Sequence, residues 1–155
     1  MKESWRSLAE TAQERELMVD FQVSQDVAVR TDPVLLGAVL TNLLSNAVAY
    51  TPRGGKIQVS VTEDTNGRKL EIVNTNKQLT QEDLAHLLEP FWRKDQARSD
   101  TSHSGLGLCV AGRLCGLLEI CLGIDLISSA LFRVTLNLGK RPVRCRVPFA
   151  GRGLA

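Results

Sequence analysis

This chain lacks several features that would have set its class at once. It has no uninterrupted run of about eighteen apolar residues, the length a membrane-spanning helix needs. Its first stretch, Met1 to Arg15, is too polar and charged for a signal peptide. It has no excess of one charge: 19 basic and 17 acidic side chains leave a net charge of +2, no basis for general nucleic-acid affinity. Its four cysteines, Cys109, Cys115, Cys121 and Cys145, contain no C-x-x-C pair. Cys109 and Cys115 lie among Leu, Val and Gly and read as small core residues in a reducing compartment, a metal site being the remote alternative. There is no internal repeat. What remains is ordinary for a soluble domain: 155 residues, 43% hydrophobic and 23% charged, enough for one core.

The pattern of apolar residues divides the chain into alternating elements. Trp5, Leu8, Ala9 and Ala12 follow helical spacing. Met18 to Val23 alternates as a strand, and a second short strand is expected at Val27 to Arg30. Thr31-Asp32-Pro33 is a helix start, with a capping residue ahead of proline, and predicts a helix from Pro33 to Tyr50. Leu36, Leu40, Leu43 and Ala47 form its buried face, and Thr51-Pro52-Arg53-Gly54-Gly55 ends it. Lys56 to Thr62 and Lys69 to Val73 read as strands, joined at Asp64-Thr65-Asn66-Gly67 as a hairpin. Thr80 to Leu88 is expected as a short helix with Thr80 and Asp83 as a loose capping box. Arg93 to Ser104 is charged and reads as a solvated loop. Gly107 to Leu118 is helical, and Glu119 to Ile127 and Leu131 to Leu138 are a final strand pair. Strands adjacent in sequence point to an α+β two-layer sandwich with a mixed, mostly antiparallel sheet. Residues 1–138 form one domain, and 139–155, with Arg141, Arg144, Arg146 and Arg152, an Arg-rich tail.

Three segments carry chemistry. Asn42 and Asn46 lie one turn apart in the long helix, with Tyr50 a further turn on, so all three share a stripe. Asparagine competes for backbone groups and is a poor residue in a helix interior. Either the two are satisfied within the helix, or Asn46 offers its amide oxygen to Mg²⁺, a hard ion that completes its shell with water and phosphate oxygens. Ser104-Gly105-Leu106-Gly107-Leu108 opens another helix. Glycine admits an anion to the backbone N–H groups, and a helix start favours phosphate; an ordinary glycine-rich helix entry reads the same way. It is neither a Walker loop, since no Gly-Lys-Ser/Thr follows, nor a dinucleotide fingerprint, since no strand leads into it. Lys94 and Arg98, on the loop before it, can reach a terminal phosphate or simply be solvated. One of Phe91 and Trp92 anchors the loop base in the core. Asn74, at a strand end, is a turn residue or an acceptor for the exocyclic amine of adenine.

Together these segments resemble the catalytic and ATP-binding domain of bacterial sensor histidine kinases, in the gyrase–Hsp90–histidine kinase–MutL (GHKL) superfamily, over about residues 5 to 138. The family's N box is similar to Asn42-Leu43-Leu44-Ser45-Asn46-Ala47 with Tyr50-Thr51-Pro52. Its F box is similar to Glu89-Pro90-Phe91-Trp92-Arg93, and its G2 box to Ser104-Gly105-Leu106-Gly107-Leu108. Lys94 to Ser99 matches the entry of the ATP lid. The resemblance implies a Bergerat fold, a sheet backed by three helices, binding ATP and Mg²⁺. It implies a cofactor-binding set of Asn46, Tyr50, Asn74, Asn76, Gly105, Leu106, Gly107 and Leu108, with Asn46 on the metal, and a catalytic set of Asn42, Lys94 and Arg98. Asn42 stands where hydrolytic relatives place a water-activating glutamate; an amide is no base, which suits phosphate transfer to histidine rather than to water.

The chain departs from the family at Asn74-Thr75-Asn76, where Asp-x-Gly is usual. Asn74 keeps an acceptor without its charge, and Asn76 in place of glycine is expected to narrow the pocket floor. Ala49 stands where many members carry a basic residue, His103 or Ser102 where the first glycine of the G2 box is usual, and Leu118-Glu119 where two glycines usually follow the last helix. The only histidines, His86 and His103, lie outside any phosphoacceptor context. The phosphoacceptor is therefore expected upstream, on dimerising helices. The resemblance implies two-component signalling with a response regulator, a cytoplasmic location, such as the inner part of a membrane-bound sensor, a homodimeric whole protein and a monomeric isolated domain. A degenerate, non-catalytic nucleotide-sensing or partner-binding module is the alternative.

Overall fold

The computed structural model describes residues 2–24, 29–65, 67–94 and 105–139. Its element order is α1 (Lys2–Arg6), α2 (Ala9–Glu14), β1 (Met18–Gln22), α3 (Pro33–Tyr50), β2 (Lys56–Asp64), β3 (Gly67–Thr75), α4 (Gly107–Leu117), β4 (Cys121–Ser128) and β5 (Leu131–Gly139). The strands form one sheet in the order β1-β2-β3-β5-β4. β1 runs parallel to β2, and the other neighbours are antiparallel. This is the mixed, mostly antiparallel sheet expected of the α+β sandwich.

α3 is the central element, and its bounds are those read from the sequence. Asp32 caps it, its Oδ1 accepting from the backbone N–H groups of Val34 at 2.8 Å and Leu35 at 2.9 Å. Proline follows at a position where its missing N–H costs nothing. The helix stops at Thr51, which is extended, as the residue before a proline prefers. Val39, Leu40, Leu43, Leu44, Ala47 and Val48 are buried. They meet Ile57 and Val59 of β2, Leu70 and Ile72 of β3, Phe132, Val134 and Leu136 of β5, and Ala111 and Cys115 of α4 in one core. α3 is also long and apolar enough, by length and composition, to cross a membrane. Here Thr41, Asn42, Ser45 and Asn46 interrupt its apolar surface, Val34 is exposed, and the six buried residues face the core.

The opposite face of the sheet is polar, as strand alternation requires. There Arg133 makes a two-bond fork with Asp125, at 2.9 and 2.6 Å, and Lys69 pairs with Glu71 at 2.9 Å.

Three local expectations need correction. The N-terminal helix is two short helices, broken where Leu8 N–H bonds back only three residues, to Trp5 O at 2.9 Å. The expected strand at Val27 to Arg30 lies half outside the described residues, and Val29 and Arg30 are in no strand. Thr80 to Leu88 contains a single 3-10 turn, Asp83–Ala85. Asp83 holds both the N–H and the hydroxyl of Thr80, Pro90 disfavours helix at the residue before it, and the bonds here span three residues rather than four. Cys109 and Cys115, read as core or semi-core residues, are free thiols, half-buried and buried respectively, while Cys121 is disulfide-bonded. Burial pushes the Cys115 thiol up to about 11.

Candidate functional site

One row of residues across the sheet locates the site. On the core side, Asn74 of β3 lies opposite Ile57 of β2 and Phe132 of β5. It is 3% exposed, a polar residue in an otherwise apolar row. A buried amide on a sheet face demands partners. Asn74 Nδ2 donates to Thr51 Oγ1 at 3.1 Å and to the carbonyl of Thr75 at 3.2 Å. The Thr51 hydroxyl in turn donates to Ala47 O at 2.5 Å.

A cavity opens beside Asn74, between α3, β3, β5 and the start of α4. Its apolar floor is Leu43, Ala47, Ile72, Leu87, Phe132 and Val134; its polar groups are those of Asn46, Tyr50, Asn74, Asn76, Gln78, Arg93 and Lys94, with Gly105, Gly107 and Leu108 along one side. The enclosed part is about 70 Å³, against roughly 300 Å³ or more for a typical ligand cavity. Leu79 and Trp92 complete the lining, and a ligand of nucleotide size needs more room than the enclosed part gives.

Asn46 comes from the middle of α3 and lies against α4. A Cβ built on Gly107 would sit 3.0 Å from Asn46 Oδ1, so this glycine is what lets the amide lie against the helix start. Gly105 has φ +72, the left-handed region that favours glycine, and a Cβ there would meet Trp92 O at 2.9 Å. Among the described residues no side chain caps α4. Its first N–H groups, beside two cavity-lining glycines, are thus suited to an anion.

Of the residues the sequence singled out, Asn46, Tyr50, Asn74, Asn76, Lys94, Gly105, Gly107 and Leu108 line this one cavity. Asn42 does not: its side chain folds back to donate to Ala38 O at 2.9 Å. Leu106 is the residue ahead of α4 and is not part of the lining. Arg98 and Ser104 lie outside the described residues. Lys94 lines the cavity while ion-paired with Asp83. Its ammonium holds the Asp83 carboxyl below the usual carboxylate range. Of the Phe91–Trp92 pair, Trp92 packs against the core and stacks on His86, ring centroids 6.3 Å apart. Phe91 is 71% exposed with φ +64.

Sequence reasoning gave no site role to Thr51, Gln78 or Leu79. Thr51 read only as a helix end, and nothing in the spacing of Gln78 and Leu79 marked them. Asn76 does form part of the floor. It is 5% exposed, and its Oδ1 accepts from Gln78 N–H at 2.9 Å and Leu79 N–H at 3.0 Å. Among the described residues no cluster of three or more His, Cys, Asp or Glu side chains is placed to hold a metal ion. A metal here would depend on Asn46 and on oxygens brought by the ligand, a mixed set that Mg²⁺ accepts.

The chain is similar to known proteins in sequence and in fold. The model of the family described as "Histidine kinase-, DNA gyrase B-, and HSP90-like ATPase" matches residues 31–149. The sensor protein VanSB of Enterococcus faecalis is 35% identical over 107 residues, covering 68% of this chain and 23% of that protein. The sensor-like histidine kinase SenX3 of Mycobacterium tuberculosis is 37% identical over 102 residues, 64% of this chain and 24% of that one. The chain thus spans about a quarter of the length of these relatives. Among solved structures, the nucleotide-free catalytic domain of histidine kinase ThkA superposes with a TM-score of 0.73 at 19% identity, covering 91% of this chain and 90% of that one. ThkA in complex with the response regulator protein TrrA superposes at 0.70 with 18% identity, covering 91% and 39%. At those identities the structural likeness is one of fold. The matched family model spans most of the chain, so this chain belongs to the histidine kinase-, DNA gyrase B- and HSP90-like ATPase family.

Proposed function

We propose that this chain binds Mg-ATP and serves a two-component sensor histidine kinase, passing the γ-phosphate to a histidine on a separate dimerisation segment. The observation that carries this reading is the cavity itself. A buried amide stands on its sheet wall at Asn74, and Asn46 lies against a glycine-lined helix start. That arrangement suits a base at one side and phosphates at the other.

Asn46 fits one oxygen ligand of Mg²⁺, with phosphate and water completing the shell. Bound Mg²⁺ would neutralise charge on the phosphates. The N–H groups at the start of α4 hold phosphate oxygens. Tyr50 flanks the base or ribose. Lys94 leaves Asp83 to meet the terminal phosphate, and Arg98 is proposed to assist it. Asn42, turned back onto its own helix, provides no base to activate water, which favours transfer over hydrolysis.

The fuller assignment extends to the whole protein. Residues 1–138 act as the catalytic domain and 139–155 as a tail. The receiver of the phosphate is a response regulator, as the ThkA complex suggests by likeness of fold. The location is cytoplasmic, the whole protein a homodimer and the isolated domain a monomer. A second reading, a nucleotide-sensing module without transfer, is favoured by one feature, Asn74-Thr75-Asn76 in place of the usual Asp-x-Gly.

Calorimetric titration with ATP, with and without Mg²⁺, tests the site that both readings share: magnesium-dependent binding in the wild type, lost in Asn46→Ala, supports it, and no binding at millimolar ATP overturns it. Transfer of the labelled γ-phosphate to a histidine in the full-length protein then supports the kinase reading, and binding without transfer supports the sensing module.

A further inference from the structure

Asn74 and Asn76 both line the cavity and are almost wholly buried. Asn76 N–H donates to Ala130 O at 2.9 Å, continuing the β3–β5 pairing one step past Thr75. The two amides therefore project to the same side of an extended segment.

Their orientations follow from hydrogen-bond accounting. The carbonyl of Thr75 can only accept. The Thr51 hydroxyl spends its hydrogen on Ala47 O and so also accepts from Asn74. Two acceptors must face the amide nitrogen, which leaves Asn74 Oδ1 for the cavity. Asn76 is the reverse. It meets the backbone N–H groups of Gln78 and Leu79, which can only donate, so its oxygen faces them and Nδ2 is left. Neither remaining atom has a protein partner among the described residues, and each is left free to bond a ligand in the cavity.

The wall thus presents one acceptor and one donor. A 6-aminopurine offers the complementary pair on adjacent atoms, an amino donor at N6 and an acceptor at N1. A 6-oxopurine offers the opposite, an acceptor at O6 and a donor at N1. We propose that Asn74 Oδ1 and Asn76 Nδ2 together read the amino group and N1 of adenine directly. In this arrangement Thr51 is a positioning residue that holds the Asn74 amide in the reading orientation. The inference rests on the nucleotide reading above and deepens it. Asn76, placed by the resemblance in the cofactor-binding set and expected to narrow the floor, becomes a determinant of base choice.

The test is a titration of the 155-residue chain with ATP, inosine triphosphate and 1-deaza-ATP, which keeps the amino group but lacks N1. In the wild type, ATP should bind about tenfold or more tightly than either analogue, since a site built to bond a polar group rejects the analogue lacking it. Asn76→Gly should weaken ATP by about tenfold and leave 1-deaza-ATP within about twofold, because that analogue has no N1 bond to lose. Thr51→Val should narrow the ratio of ATP to inosine triphosphate affinity, and Thr51→Ser should restore it. Equal binding of ATP and 1-deaza-ATP by the wild type overturns the Asn76 contact without recourse to any variant. An equal loss of both ligands in Asn76→Gly also overturns it. An unchanged ratio in Thr51→Val overturns the positioning role. No binding of ATP by the wild type overturns the nucleotide reading itself.

Discussion

At the scale of single residues, this site works by close approach. Gly107 carries the clearest consequence. Asn46 occupies the space a side chain would need there, so Gly107→Ala should displace the amide while leaving the helix intact. We expect Mg-ATP affinity to fall by about tenfold, the worth of one charge-assisted contact, with the melting temperature nearly unchanged. Loss of fold instead of affinity, seen by circular dichroism, would assign Gly107 to packing. The Asp83–Lys94 pair makes a second prediction. Lys94 lowers the Asp83 carboxyl below its usual value. A group depressed in the folded state contributes stability above its unfolded pKa, about 3.9 for Asp, and that contribution is lost as pH falls through the folded value. The wild type should therefore lose urea resistance more steeply than Asp83→Asn as pH drops below about 4. Parallel profiles would show the pair to be silent. Both residues are partly exposed, so the difference should be small.

At the scale of elements, two helix ends decide how the site is held. α3 has no basic residue in its last turn. Arg15, from the end of α2, does that work from outside: it donates to Val48 O and Ala49 O at 2.7 Å and to Thr51 O at 2.8 Å. It thereby ties the N-terminal segment to the helix that carries Asn46 and Tyr50. Arg15→Ala should cost about 2 kcal/mol, given the usual worth of hydrogen bonds to charged groups, read as a lower urea midpoint. An effect under about 0.5 kcal/mol, the range of an unremarkable surface site, would refute the cap. α4 ends differently. Glu119 sits at φ +55, with Glu119 N–H bonded to Gly116 O and Ile120 N–H to Cys115 O. This is a Schellman ending, where glycine is preferred. Glu119→Gly should relieve the left-handed strain and raise stability by about 0.5–1 kcal/mol; a loss of stability would mean that the glutamate side chain compensates.

The third element to consider is one that local patterning misread. Thr80 to Leu88 carries Leu84, Leu87 and Leu88 at helical spacing, yet forms only a 3-10 turn. Leu87 is buried, with Leu84 and Leu88 packed against the core. Docking those leucines while entering Pro90 overrode the helical preference. α3, by contrast, was legible to its last residue, because a capping Asp-Pro at one end and Thr-Pro at the other are local signals with local causes.

At the scale of the whole molecule, ligand binding and folding are linked. A ligand that binds only the folded chain stabilises it by RT ln(1 + [L]/Kd), about 2.7 kcal/mol at a hundredfold excess over Kd. For a domain of this size that should raise the melting temperature by roughly 5–10 °C. We expect that shift with Mg-ATP and a smaller one with ATP alone, measured by differential scanning calorimetry. Equal shifts would remove Asn46 from the metal. The same scale separates what was readable from what was not. The sequence by itself determined the sheet class and the bounds of α3 and singled out Asn46, Asn74, Gly105 and Gly107, because periodicity, caps and glycine requirements act over a few neighbours. Only the tertiary structure decided that Lys94 rests on Asp83 and that Thr51, at the end of α3, meets the Asn74 amide of β3. Those outcomes depend on which donor meets which acceptor across separate elements, and that pairing exists only once the chain has folded.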